Sequence, residues 1–296
     1  LILDAKASHA NDLAAASQRI ILPRPIEGVD DALKLMRHAR ARQKRDQEEL
    51  RVEHLVADFS DAYWMVPLHP EERPFQVAIF RQLVIVLLRT GQGMRNSSLT
   101  YGTVAAALAR LVQSLFEDHE ALIELYTDDP LTAVMGTAAQ RDRLMAVVLL
   151  GWVLVGVKVA FHKAQRGFDT AWIGARFILE RDSLVVTINE EMVDDILGLI
   201  QSTLQRNFIL LSVLRTLTGK CNHVAGLIYT WRPFLSPMWA AITKATSRPN
   251  RIAHTIWVRQ IRTSLKWIEA FITCKAGAMS RRYCLHHHFN EAMPVR

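Results

Sequence analysis

The chain has 296 residues, half of them hydrophobic, with 36 Lys and Arg against 29 Asp and Glu for a net charge of +7. That apolar content suffices for a buried core over two or three subdomains and excludes a disordered chain, as does the lack of any low-complexity tract or internal repeat. No signal peptide is visible, and the longest uncharged apolar run, Leu144 to Val157, has 14 residues, too few to span a bilayer. Cys221, Cys274 and Cys284 are odd in number and widely spaced, the usage of reduced thiols in an intracellular protein. From Arg206 onward 14 Lys and Arg face only Glu269 and Glu291, so that part carries +12 and residues 1–205 carry −5. An acidic first part and a basic last part predict a catalytic or metal-binding region joined to a grip on a polyanion.

In chain order, residues 1–4, "LILD", read as a strand without an initiator methionine, which predicts a piece of a longer polypeptide. Residues 29–45 read as a helix and 54–59, "HLVADF", as a strand ending in a carboxylate. Residues 75–80 and 83–88 read as paired strands around Arg81-Gln82. A helix is expected over 98–117, with Val104, Leu108, Leu111 and Leu115 in one stripe. Residues 121–127 and 131–135 are short strands joined by a tight turn at Asp128-Asp129. Helix 138–151 and strands 153–161 and 172–179 follow, then helices 190–205, 211–229, 232–246 and 254–272. The fold class is α+β to about residue 188, followed by an all-helical basic region.

Two adjacent carboxylates at a hairpin tip repel each other unless a cation neutralises them. Asp alone is an ordinary turn residue. If strand 54–59 lies beside 121–127, however, Asp58 converges on Asp128, close enough for one ion to bridge them. Oxygen ligands of this kind suit a hard divalent cation, which typically takes one or two carboxylates plus water and substrate phosphates. Two such ions activate an attacking oxygen and stabilise a leaving one in phosphoryl transfer. Asp61 reads as a carboxylate capping the start of a helix.

"DFSDAYW" (58–64), "RTGQGMRNSS" (89–98) and "YTDD" (126–129) stand in the order, and on the element types, of reverse transcriptases. The chain resembles the Pol polyprotein of a retrotransposon with long terminal repeats or of the tyrosine-recombinase type. "LILDAKASHAN…RIILPRP" is similar to the lead-in from fingers to palm, and "VPLHPEERPFQVAIF" to the strand pair after the first aspartate. "FHKAQRG" resembles the lysine-bearing palm motif and "WIGARFIL" the primer-side hairpin. "LRTLTGKCNHVAGLIYTWRPFLSPMWAAI" resembles the thumb and "SLKWIEAFI" the segment beyond it.

The resemblance implies a right-hand polymerase: partial fingers and lead-in over 1–57, an antiparallel palm packed on helices over 58–188, a helical thumb over 189–250 and a connection-like basic tail over 251–296. It implies that Asp58, Asp128 and Asp129 hold two Mg2+ ions, with Mn2+ as a substitute. Tyr63 becomes the aromatic gate under the incoming sugar, and Gln92 and Gly93 contact the incoming nucleotide and template. Lys163 becomes the catalytic lysine that protonates the leaving pyrophosphate. The implied partners are an RNA or DNA template–primer, deoxynucleoside triphosphates and the rest of a Pol polyprotein, in a cytoplasmic particle or the nucleus, with no membrane. Arg206, Arg215, Lys220 and Arg232 are expected to hold the template–primer backbone.

The sequence departs from the family at Gly91, where a proline is usual, and at Ser97-Ser98, where a small residue and proline are usual. Pro130 removes a backbone donor at the start of a strand. Arg24 and Lys6 lie near the region that supplies basic contacts to the triphosphate, without an assignable role. Two alternatives stand beside the polymerase: an inactive fragment that only binds nucleic acid, and a metal-dependent nuclease. Trp231, Trp239, Trp257 and Trp267 read as core residues of helix packing rather than stacking platforms. "CLHHH" (284–288) lacks a second Cys/His pair nearby and is not read as a zinc site.

Overall fold

The computed structural model describes residues 18, 20–46, 48–94, 96–247 and 254–288. The strand expected at 1–4, and Lys6, lie outside them. The chain divides into two compact units, 1–170 and 171–296.

In the first unit, helix α1 (Pro25–Asp46) starts four residues earlier than the expected 29. Glu27 accepts from the Arg24 backbone N–H at 2.8 Å and from its guanidinium at 2.6 Å, which closes the first turn. Strand β1 (Arg51–Val56) sits in a four-stranded antiparallel sheet with β4 (Ala121–Tyr126), β5 (Asp129–Gly136) and β6 (Gln165–Gly167), in the order β4-β5-β1-β6. The condition under which Asp58 would converge on Asp128, strand 54–59 directly beside 121–127, is not met as stated: the return strand β5 lies between them. Leu131, Ala133, Val134 and Met135 of β5 are all buried, so this strand needs cover on both faces and takes a central place. Strand β4, half-exposed along most of its length, becomes the edge.

Helices α2 (Ser97–Gln113) and α3 (Ala138–Leu154) cover one face of the sheet, through Tyr101, Ala105, Val112, Met145, Val148 and Trp152 packed with Leu55 and Val134. Helix α1 covers the other, where Asp31 hydrogen-bonds Glu124 of β4. A strand expected over 153–161 is absent. Helix α3 starts on a capping box between Thr137 and Gln140, continues through the buried Gly151 and ends at Leu154, just before Gly156 turns left-handed at φ 86°. Only a single bridge, Phe59 to Val159, remains of that strand. Strands β2 (Val77–Phe80) and β3 (Leu83–Val86) pair as expected, around Arg81 and Gln82 at φ 47° and 66°. Both turn residues lie in the left-handed region that two-residue hairpins favour.

His54 of β1 is fully buried, its Nδ1 3.3 Å from the Thr170 hydroxyl, and burial pushes its pKa down to about 3. The imidazole is therefore neutral in the folded protein and takes up a proton only on unfolding, below its ordinary pKa near 6.5. Its contribution to stability is complete above that value and is lost as pH falls, by about 1.4 kcal/mol per pH unit. The stability difference between the protein and His54→Gln should shrink between pH 6.5 and 4.5 in thermal unfolding; a constant difference would mean that His54 does not titrate on unfolding.

In the second unit the expected strand 172–179 is broken. Ile173 and Gly174, at φ 41° and 76°, turn the chain between β7 (Asp169–Trp172), which crosses the border of the two units, and β8 (Ala175–Leu179). Strand β9 (Ser183–Ile188) continues the sheet and β12 (Ser280–Cys284) closes it, in the order β12-β9-β8-β7. Helices α4 (Glu190–Leu204), α5 (Leu211–Val224), α6 (Arg232–Thr246) and α7 (Arg262–Ile272) pack together, and a short α8 (Leu285–His288) ends the described chain. The region after residue 188 is not the all-helical one expected. Besides β12 it holds a two-stranded ribbon, β10 (Phe208–Leu210) with β11 (Thr255–Trp257). Three-residue strands are too short to show a period, and these two lie far apart in sequence. Among the described residues no helix is long and apolar enough to cross a membrane.

Candidate active site

Backbone pairing, continued past the end of β1, assembles the carboxylates. Ala57 N donates to Pro130 O at 3.1 Å and Phe59 N to Asp128 O at 3.0 Å, so residues 57–59 run alongside the β4–β5 turn. On the other flank Ser60 N donates to Lys158 O at 2.7 Å, and Ala160 N to Asp58 O at 2.8 Å. Asp58 thus lies between the hairpin turn and the segment that leads to Lys163. Pro130 accepts from Ala57 N through its carbonyl, while its own nitrogen has no proton to return to the ladder.

The side chains follow the backbone. Asp129 hydrogen-bonds Asp58, and its pKa rises to about 6 through burial, then the charges of Asp128 and Asp58, then that shared bond. Asp128 is raised mainly by burial and also by the Asp58 charge, with its own backbone N–H and Lys163 acting the other way. Lys163 Nζ donates to Asp58 Oδ2 at 2.7 Å, a pairing that raises the lysine pKa. The ammonium stands where it offsets the converging negative charge. Sequence reasoning named all four residues but not this ion pair, which depends on the 3-10 turn at Phe161–Lys163.

The donors are all carboxylate oxygens, as a hard cation requires. Among the described residues no three His, Cys, Asp or Glu side chains form a metal-holding group. Carboxylates so placed would suit an ion held by two of them, its remaining positions filled by water. Asp61 does not cap its helix: it sits at φ 57° with no cap hydrogen bond, and its carboxylate lies 3.8 Å from Lys158 Nζ.

Tyr63 stands on the 3-10 helix Ala62–Met65, its ring 4.8 Å from the Tyr101 ring and its hydroxyl 3.4 Å from Ser98 Oγ. Tyr101 was missed in the sequence, where it reads as one more apolar helix position. Its ring is buried, its hydroxyl has no hydrogen-bond partner among the described residues, and burial together with the charge of Asp128 raises its pKa. Gln92 and Gly93 form an exposed turn leading into α2. Antiparallel bonds from Leu68 N to Leu88 O and from Thr90 N to Val66 O tie the preceding segment to the chain that follows Tyr63. Gly93 is at φ 103°, which a side chain would strain.

Thr127, at the first corner of the aspartate turn, has φ 57°, a rare conformation for a β-branched residue. Thr127→Gly removes about 1–2 kcal/mol of left-handed strain and adds about 0.5–1 kcal/mol of chain entropy. The thermal midpoint of the metal-free protein should rise by up to about 3 °C. A lower midpoint would show that the threonine side chain holds the turn.

The four cations expected to grip nucleic acid are not gathered on one face. Lys220 is paired with Asp195, and Arg215 donates to Thr246 Oγ1 at 3.2 Å. Five residues apart on α5, the two point about 140° away from each other. Arg232 donates to Ala225 O at 3.3 Å and lies 4.6 Å over the Tyr229 ring. Arg206 stands exposed just before β10. Of the tryptophans read as core, Trp231 is fully buried, whereas Trp239, Trp257 and Trp267 are nearly half exposed.

No family model matches the chain, and no curated protein does. Among solved structures, the foamy viral protease-reverse transcriptase dRH in complex with double-stranded DNA is similar, with a TM-score of 0.51 and 14% identity over 73% of this chain and 35% of that one. The foamy viral protease-reverse transcriptase in complex with an RNA/DNA hybrid gives a TM-score of 0.50 at 14% identity over 73% of this chain and 27% of that one. The chain has a reverse-transcriptase-like fold. It spans about a third or less of the length of those two chains.

Proposed function

We propose that the chain is the polymerase part of a retroelement Pol polyprotein and carries out template-directed DNA synthesis on an RNA or DNA template. One observation carries the reading: the backbone ladder that brings Asp58 beside Asp128 and Asp129 at the end of an antiparallel sheet, in a fold similar to reverse transcriptases. In this reading residues 58–188 form the palm, 189–250 the thumb and 251–296 a connection-like tail.

Asp58 and Asp128, with Asp129 beside them, would hold Mg2+, or Mn2+ in its place; the metal, when bound, supplies charge stabilisation for nucleotidyl transfer. Lys163 then exchanges its bond to Asp58 for the triphosphate and gives a proton to the leaving pyrophosphate. Tyr63, braced by Tyr101 and Ser98, presents a flat ring under the sugar of a deoxynucleoside triphosphate and leaves no room for a 2′-hydroxyl. Gln92 and Gly93 let the backbone approach the incoming base.

Primer extension separates this reading from its rivals. With labelled primer, template and deoxynucleotides, a polymerase lengthens the labelled strand, a metal-dependent nuclease shortens it, and an inactive binder only retards it. Extension is expected; either of the other two results overturns the proposal.

A further inference from the structure

We propose that the outer face of the β10–β11 ribbon binds single-stranded nucleic acid, with bases stacked on Trp257 and Phe208 and phosphates on Arg259 and Arg206. Phe208 and Trp257 are direct cross-strand partners, so their side chains stand next to each other on one face. That face is turned to solvent, Phe208 being 57% and Trp257 48% exposed, with Leu210 on the same side at 55%. The opposite face, Ile209 and Ile256, is buried and anchors the ribbon. The aromatics are therefore displayed by a supported element and are not part of the core.

Charge selects the occupant. Arg259 lies over the Trp257 ring, its guanidinium carbon 5.5 Å from the centroid. Arg206 precedes Phe208 by two residues, and the Val258 N to Asn207 O bond of 2.9 Å continues the pairing toward it. Neither guanidinium has a carboxylate partner among the described residues. An apolar protein surface is poorly matched to two uncompensated cations beside a paired Phe and Trp. A nucleic acid strand offers flat bases that stack on aromatic rings and a phosphate with each base, which is how sequence-tolerant strand binders work.

The inference rests on the nucleic-acid reading above and names a contact that reading does not require. The test uses the full chain and a fluorescein-labelled oligothymidylate, followed by fluorescence anisotropy over a salt series, beside a duplex template–primer and the extension assay. Trp257→Ala and Phe208→Ala should each weaken oligothymidylate binding about 5- to 100-fold, and Trp257→Phe should keep most of it. Arg206→Gln with Arg259→Gln should reduce the slope of log affinity against log salt by about 1.4, two phosphate contacts at about 0.7 each. Thermal midpoints check that the ribbon, held by Ile209 and Ile256, stays folded.

If the protein extends primers and binds the oligonucleotide while all four variants bind like the parent, the inference fails and the polymerase reading stands. If Trp257→Phe loses as much as Trp257→Ala, stacking is not the interaction and the inference fails. If the variants alter only the sedimentation coefficient, the ribbon is a protein interface and the inference fails. If the parent chain binds no nucleic acid, the inference and the reading fall together.

Discussion

Asp128→Asn is expected to lower primer extension by about 1000-fold or more while leaving template–primer binding nearly unchanged. The substitution keeps size and shape but removes a charge that would hold the cation, and a thousandfold corresponds to about 4 kcal/mol of lost transition-state stabilisation. Stability without metal should move the other way. Asp129 titrates near 6 partly because of the Asp128 charge, above its ordinary value of 3.8. A carboxyl raised on folding adds stability that is complete below its unfolded pKa and is lost as pH rises through its folded one. The Asn variant should therefore gain about 1 kcal/mol above pH 6, allowing for the half-exposed setting, and nothing near pH 4. Extension and thermal midpoints at both pH values, with and without magnesium, measure this. Full extension by the Asn variant would end the catalytic assignment of Asp128.

Arg141→Met is expected to destabilise the first unit by about 3–5 kcal/mol, the largest effect foreseen away from the carboxylates. Arg141 and Glu53 are both buried, and the Arg141 Nε bond to Glu53 Oε2 is 2.7 Å. Arg141 also donates to Gly136 O at 2.8 Å, which ties the start of α3 to the end of β5. The variant leaves Glu53 charged and buried with only Arg166, half in solvent, beside it. Removing both charges together, as Arg141→Met with Glu53→Leu, should recover most of the loss, because the penalty lies in the orphaned charge. Denaturant unfolding of the single and double variants decides between this and plain packing. A double variant as unstable as the single one would mean that Arg141 acts through its hydrogen bond to Gly136.

A charged tip between apolar strands is by itself explained by ordinary turn chemistry; the order of the "DFSDAYW" and "YTDD" segments is what singles these carboxylates out in the sequence. Helices α1 to α7 are legible as elements, to within a few residues at most ends, but the stripe read for α2 is not its buried face: Val104, Leu111 and Leu115 are exposed, and Tyr101, Ala105 and Val112 are buried. Extents fail where two signals overlap. The run from Leu144 to Val157 carries no charge, so helix and strand look alike until the Thr137 cap and Gly156 set the limits of α3. Strands β10 and β11 escape because three residues show no period.

By itself the sequence determined which side chains the site has to work with, since residue type and order along the chain need no partner to be read. It also determined that the basic charge gathers after residue 206. Only the tertiary structure decided that β5 separates β1 from β4, that Lys163 lies on Asp58, that Asp129 shares a bond with Asp58, and that Trp257 faces solvent beside Phe208. Each of these is a pairing between segments distant in the chain. Such pairings follow from which surfaces must be buried together, a condition on the whole core that no local window of residues contains.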